Sequence, residues 1–137
     1  MKELFTNIIN KIQQIAEKLG LIADYVVEQG TDGIWTYRKW NSGIAELWGT
    51  YTGTSVTPTA WGNIYASDTI PRIDYPFAFT SAPQVQVTPR YTGTGGGFWI
   101  YCVGAGYTTQ TPFYGAGRAN NTAIVPCIDF YVIGRWK

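Results

Sequence analysis

Five apolar residues, Phe5, Ile8, Ile12, Ile15 and Leu19, recur at intervals of three and four within the first twenty positions. That is the a/d seam of a coiled coil, with Phe5, Ile12 and Leu19 at a and Ile8 and Ile15 at d. No later stretch carries helical spacing, so a chain of 137 residues has one place for a helix. Isoleucine at d disfavours two parallel strands and shifts the preference toward three or four. Leu4 and Ile9 widen the stripe, which also suits more than two helices. Glu3 in the first turn and Lys18 in the last match the helix dipole. Gly20 is placed to be the left-handed residue beyond the last turn. About 18 helical residues give about 27 Å of length, and an isolated helix that short is marginal in water. The stripe must therefore be covered. A homotrimer covers it with copies of itself; the alternative is an amphipathic helix folded back on its own domain. This reading assigns residues 1–22 to a trimerisation helix and residues 23–137 to a head domain.

Beyond Gly20 the composition is that of a sheet protein. Aromatics make up 16% of the chain, with six Trp and ten Tyr, and there are 16 Gly to turn it. Aromatic and β-branched residues suit a pleated, half-buried surface. The clearest local structure is Ile34–Trp40 followed by Ile44–Tyr51. Asn41-Ser42-Gly43 between them fits a three-residue hairpin loop with Gly43 in the left-handed position. That register sets Trp40 opposite Ile44, Arg38 opposite Glu46, and Thr36 opposite Trp48. On the other face Tyr37 opposes Leu47 and Trp35 opposes Gly49. Arg38 and Glu46 then read as a cross-strand ion pair worth about 0.2–1 kcal/mol, not as a catalytic pair.

The remaining chain reads as short strands and turns. Tyr25-Val26-Val27 suggests a strand, or an extended link, ahead of a Gly30–Gly33 turn cluster. Thr50–Pro58 is a polar loop, Trp61–Tyr65 a short strand, and Ser67–Pro71 a turn. Ile73, Tyr75, Phe77 and Phe79 alternate with other residues, and Pro76 confines such a strand to an edge. Gln84–Arg90 alternates cleanly with Val85 and Val87 inward, the pattern of an antiparallel strand wet on one side. Tyr91–Gly97 is a hairpin tip. Phe98–Val103 is apolar on both faces, which predicts a central strand or one at a subunit interface. Gly104–Asn121 shows no periodicity, and irregular stretches of that length are usually functional or mobile. Thr122–Cys127 is a further short strand. Ile128–Trp136, with Phe130 and Val132 on one face and Tyr131 and Ile133 on the other, predicts an interior strand. The fold class is mainly β, an antiparallel β-sandwich or jelly-roll-like head.

Much chemistry is excluded. Histidine is absent, which removes Ser-His-Asp and Cys-His sites and the commonest metal ligand. Cys102 and Cys127 cannot form a four-ligand zinc site alone. They are expected as two free buried thiols, with a Cys102–Cys127 pair as the alternative. A net charge of +1 with no basic run makes nucleic acid a poor choice of partner, and none is expected. No run of 18 apolar residues is present, so no helical membrane insertion is expected. The first twenty residues lack the basic patch and apolar block of a secretory signal, so synthesis without a signal peptide is expected. Gly93–Gly97 is glycine-rich but lacks the Lys-Ser/Thr of a phosphate-binding loop and precedes a strand. The acids are scattered, with no calcium-loop spacing. No cofactor, metal or enzymatic activity is expected.

Gly33-Ile-Trp-Thr-Tyr-Arg-Lys-Trp-Asn-Ser-Gly-Ile-Ala-Glu-Leu-Trp-Gly49 resembles a segment of bacteriophage and prophage tail proteins of Gram-positive gut bacteria. The closing Tyr131–Lys137 resembles the end of such chains. Phe77-Ala-Phe-Thr-Ser-Ala-Pro-Gln-Val-Gln-Val87 is similar to the F…P-x-V-x-V strand of H-type lectin-like folds. The resemblance implies a trimeric tail-fibre tip or receptor-binding domain at the virion's tail, with a helix leading into a β-head. Sugar-binding members of the lectin-like family use residues without counterparts here, one of them a histidine.

A sugar offers a flat C–H face and polar edges, so its sites combine Trp or Tyr with Asn, Asp or Arg. Gly104–Asn121 supplies Tyr107, Phe113, Tyr114, Arg118, Asn120 and Asn121, and Trp61 and Tyr91 stand at strand–loop edges. These are the candidate ligand contacts; the alternative is that they are core or interface aromatics. The leading expectation is a non-enzymatic homotrimer whose head recognises a bacterial surface polysaccharide or another host receptor. A purely structural appendage or assembly protein is the second reading, and a glycan-degrading tip is the third.

Overall fold

The computed structural model describes residues 1–20, 24–90 and 97–137. Helix α1 (Lys2–Lys18) is followed, among the described residues, by nine strands. These are β1 (Val26–Asp32), β2 (Trp35–Trp40), β3 (Ile44–Thr52), β4 (Thr59–Trp61), β5 (Ile64–Ile70), β6 (Gln84–Pro89), β7 (Trp99–Gly104), β8 (Phe113–Arg118) and β9 (Cys127–Arg135). They form a five-stranded sheet in the order β1-β2-β3-β9-β6 and a four-stranded sheet in the order β4-β5-β8-β7. Every pairing is antiparallel. One core joins the sheets: Trp35, Leu47, Phe130 and Val132 from the first meet Ile70 and Tyr114 from the second. The expected β-sandwich is what the chain builds.

The helix ends as its sequence requires, with Gly20 at φ 66°. Glu3 lies in its first turn and Lys18 in its last. No residue of α1 is buried. Phe5, Ile8, Ile12, Ile15 and Leu19 are 47–67% exposed, so the head does not cover the seam. The boundary expected between residues 22 and 23 lies outside the described residues.

The β2–β3 hairpin has the register its loop dictates. Trp35 pairs with Gly49, Thr36 with Trp48, Tyr37 with Leu47 and Arg38 with Glu46. Gly43 takes φ 93°, a conformation glycine adopts without steric cost, and its N–H donates to Trp40 O at 3.0 Å. Arg38 and Glu46 lie 3.9 Å apart on the outer face. The Arg38 guanidinium lies 4.9 Å from the Trp48 ring centroid and 5.7 Å from that of Trp40. Glu46 accepts hydrogen bonds from the Tyr131 hydroxyl and from Trp40 Nε1. These bonds, led by that of Tyr131, hold the Glu46 carboxyl below its usual range. Arg38 is thus held by structure, as expected of a cross-strand pair. β9 is interior, between β3 and β6, and Val85 and Val87 of β6 pack on the core.

Several expectations are corrected. β1 runs through Gly30 to Asp32, so the turn falls later than the Gly30–Gly33 cluster implies. Trp61–Tyr65 is not one strand: Gly62-Asn63 is a two-residue loop between β4 and β5. Ser67–Ile70, read as part of a turn, continues β5. Ile73–Phe79 forms no ladder beyond an isolated Asp74–Gln110 bridge. Pro71 and Pro76 remove donors, and the backbone instead bonds to the 107–111 loop, with Tyr75 N to Thr109 O and Phe79 N to Thr108 O both 2.9 Å. The alternation still sends Tyr75 and Phe79 inward. β7 is an edge strand of its sheet, not a central one. β8 lies inside the supposedly irregular Gly104–Asn121, while Thr122–Pro126 contributes only an Ile124–Val56 bridge. Both cysteines are free, but only Cys127 is buried; Cys102 is exposed. The tip expected at Tyr91–Gly97 lies almost wholly outside the described residues.

Two outcomes are expected. Leu47 is fully buried, so Leu47→Ala lowers unfolding free energy by about 2–5 kcal/mol in a urea titration. Glu46 contributes stability that is present above its unfolded value and lost as pH falls through its depressed folded value. Denaturant midpoints taken across the acid range therefore fall less steeply for Glu46→Gln than for the parent.

Candidate functional site

The outer face of the four-stranded sheet is built around two glycines. In β8, Ala116 is fully buried, so its neighbours Gly115 and Gly117 turn outward. Gly115 pairs with Tyr101 of β7, and Gly117 pairs with Trp99 of β7 and Ala66 of β5. A Cβ at Gly115 would overlap the Tyr101 ring, and one at Gly117 would meet Trp99 Nε1 at 2.5 Å. Both rings therefore lie down on bare backbone. This is close packing that no larger residue in β8 permits.

Across β8, the β4–β5 hairpin holds Trp61 beside its loop, 62% exposed. The Trp61 and Tyr101 centroids are 5.7 Å apart with the ring planes at 35°. Beside this ring pair runs a cleft of about 540 Å³ lined by Thr59, Ala60, Trp61, Ala66, Ser67, Asp68, Tyr101, Cys102 and Val103. That is the scale of a small-molecule site. The Tyr101 hydroxyl donates to Asp68 Oδ1 at 2.8 Å. Burial, and then this bond, push the Tyr101 phenol up to about 12. Tyr101 is thus a fixed donor, and Asp68 is a carboxylate held by one oxygen on an exposed side chain.

The structure disperses the sequence-predicted contacts. Trp61 is in the cleft. Tyr107, 52% exposed, and Phe113 gather instead around Arg72, whose guanidinium is 5.1 Å and 5.9 Å from their centroids. Tyr114 is a core residue, 6% exposed, its ring centroid 6.1 Å from that of Phe130. Arg118 is 7% exposed and donates to Thr122 O and Ala123 O at 3.1 and 3.3 Å, closing its own loop. It is not free to meet a ligand. Asn120 Oδ1 accepts from Thr122 N in the same loop, and Asn121 is exposed beside it. Tyr91 lies outside the described residues. Tyr101, Trp99 and Asp68 were not singled out from sequence. The signal for the first two was the pair of apolar faces in Phe98–Val103, read together with the Gly-Ala-Gly of β8.

No protein-family model matches the chain, and no curated protein matches it. Among solved structures, it is similar to the P. aeruginosa R1 pyocin fibre comprising C-terminal residues 323–701, with a TM-score of 0.57 and 17% identity. The match covers 87% of this chain and 30% of that one. The P. aeruginosa R2 pyocin fibre comprising C-terminal residues 323–691 gives a TM-score of 0.45 at 13% identity, over 88% of this chain and 28% of that one. The first likeness shows a shared β-sandwich fold. The chain spans less than a third of the fibre it matches.

Gly115→Ala tests the platform. A methyl there must displace the Tyr101 ring, so the phenol loses its bond to Asp68. Ultraviolet titration then shows one tyrosine returning from about 12 toward its ordinary value of 10.0. The cost in stability is about 1–3 kcal/mol, with cooperative unfolding retained.

Proposed function

We propose that this chain is a non-enzymatic attachment domain of a phage-tail-type fibre, a homotrimer whose head contacts a bacterial surface glycan. The helix sets valency and the head sets recognition. The observation that carries the reading is the uncovered seam of α1: five apolar side chains at 3-4 spacing, each at least 47% exposed, on a helix with no buried residue. Such a stripe needs a partner, and copies of itself meet its own heptad register. The fold shared with the R1 pyocin fibre supports placing the domain in a virion-type tail appendage. The lectin-like use of the head belongs to the same proposal. Three linked sites raise avidity about 10²–10⁴-fold over one, which suits weak sugar contacts.

The structural reading, an appendage without a ligand, is favoured by one observation: Trp61, Trp99 and Val103 expose 40–62% of their surface on one sheet face, where a neighbouring subunit could sit.

Light scattering on the Ile8→Asp, Ile12→Asp double variant tests the assembly. The mass is expected to fall from three copies to one, with apparent affinity for a surface-polysaccharide array falling about 10²–10⁴-fold. An unchanged mass removes the helix from the assembly. An array with no hit leaves the structural reading, and turnover of an arrayed polymer makes the protein an enzyme.

A further inference from the structure

We infer that the cleft alongside the Trp61–Tyr101 ring pair is the sugar site and that it takes an electrically neutral pyranose, not an acidic or phosphorylated one. This rests on the glycan reading above and narrows it to one surface and one ligand class. Three features of the cleft converge on that class.

The first is shape. Trp61 and Tyr101 form a bent shelf, their planes at 35° and centroids 5.7 Å apart. A pyranose presents a C–H face that stacks on such rings. The Tyr101 ring is pressed against Gly115 and tied to Asp68 through its hydroxyl, so it needs no ordering when a ligand arrives. The second is hydrogen bonding. Asp68 has one oxygen engaged by Tyr101, and among the described residues its other oxygen has no protein donor. A carboxylate at the edge of an aromatic shelf accepts from sugar hydroxyls, and charge-assisted bonds of that kind are the strong ones.

The third is charge. None of the lining residues is a lysine or arginine. An acidic or phosphorylated sugar would bring its negative charge to Asp68 with no cation to offset the repulsion. Cations of the head are engaged elsewhere. Arg72 lies on Tyr107 and Phe113, Arg38 on Trp48, Arg90 on Asp129, and Lys39 on Glu28. An uncharged residue with adjacent hydroxyls meets all three conditions.

The test uses the whole chain against neutral polymers (mannan, galactan, glucan) and polyanions (polygalacturonate, poly(glycerol phosphate)) by biolayer interferometry. Binding is expected in the neutral set. Trp61→Ala and Asp68→Ala are each expected to weaken it at least about tenfold, with far-UV circular dichroism and light-scattering mass unchanged. Binding confined to polyanions, or neutral binding undiminished in both variants, overturns the assignment and leaves glycan recognition standing. A change of mass in Trp61→Ala makes this face a contact between copies and overturns it as well. No binding to any polymer overturns both the assignment and the glycan reading beneath it.

Discussion

The Trp35 indole holds the sandwich together from its rim inward. Its ring packs against Phe130 of β9 at 5.5 Å and against Tyr75 at 5.7 Å. Its Nε1 donates to Asp74 O at 2.7 Å, pinning a segment that has no strand ladder of its own. From Tyr75 the contacts continue through Phe79 and Phe77 to Tyr37. From Phe130 they reach Tyr114 in the other sheet. Tilted and edge-on aromatic pairs add about 0.5–1.5 kcal/mol each beyond the area they bury. Here they also do a job of connection, since residues 71–83 cross between the sheets with few backbone bonds. Among the described residues the buried Tyr75 hydroxyl has no hydrogen-bond partner, and burial raises its phenol above the ordinary tyrosine range.

The two outer faces are finished differently. On the five-stranded sheet, Glu46 accepts from Trp40 and Tyr131, and the Arg38 guanidinium lies over Trp48 at 3.9 Å from Glu46. On the four-stranded sheet, the glycines of β8 let aromatic rings lie flat, and Trp61 and Trp99 keep exposed surface. An aromatic shelf with one half-engaged carboxylate offers a stacking face and an acceptor. The shelf and the bare seam of α1 are two places where the single chain leaves apolar surface uncovered.

The hairpin of β2 and β3 was legible because a three-residue loop sets register locally, and Gly43 at φ 93° leaves no other choice. Period-two alternation likewise announced β6 and β9, each with one face in the core. The candidate site was hardly legible. Gly104–Asn121 looked irregular because Gly115 and Gly117 carry no side chain to mark a face. Tyr114 and Arg118 looked available because aromatic and basic residue types suit a sugar, yet both are buried. A residue type states what a side chain can do, and only its neighbours decide whether a ligand can reach it.

The amino-acid sequence by itself determined where the helix lies, how it ends, the turn that joins β2 to β3 and which side of each clean strand is dry. Those depend on spacing and on the backbone preferences of single residues. Only the tertiary structure decided that β8 joins β5 to β7, that Phe98–Val103 lies at an edge, and that Trp61 and Tyr101, forty residues apart, face one cleft. Pairings between distant strands carry no local period, because they follow from which faces remain to be buried once the neighbouring turns are made.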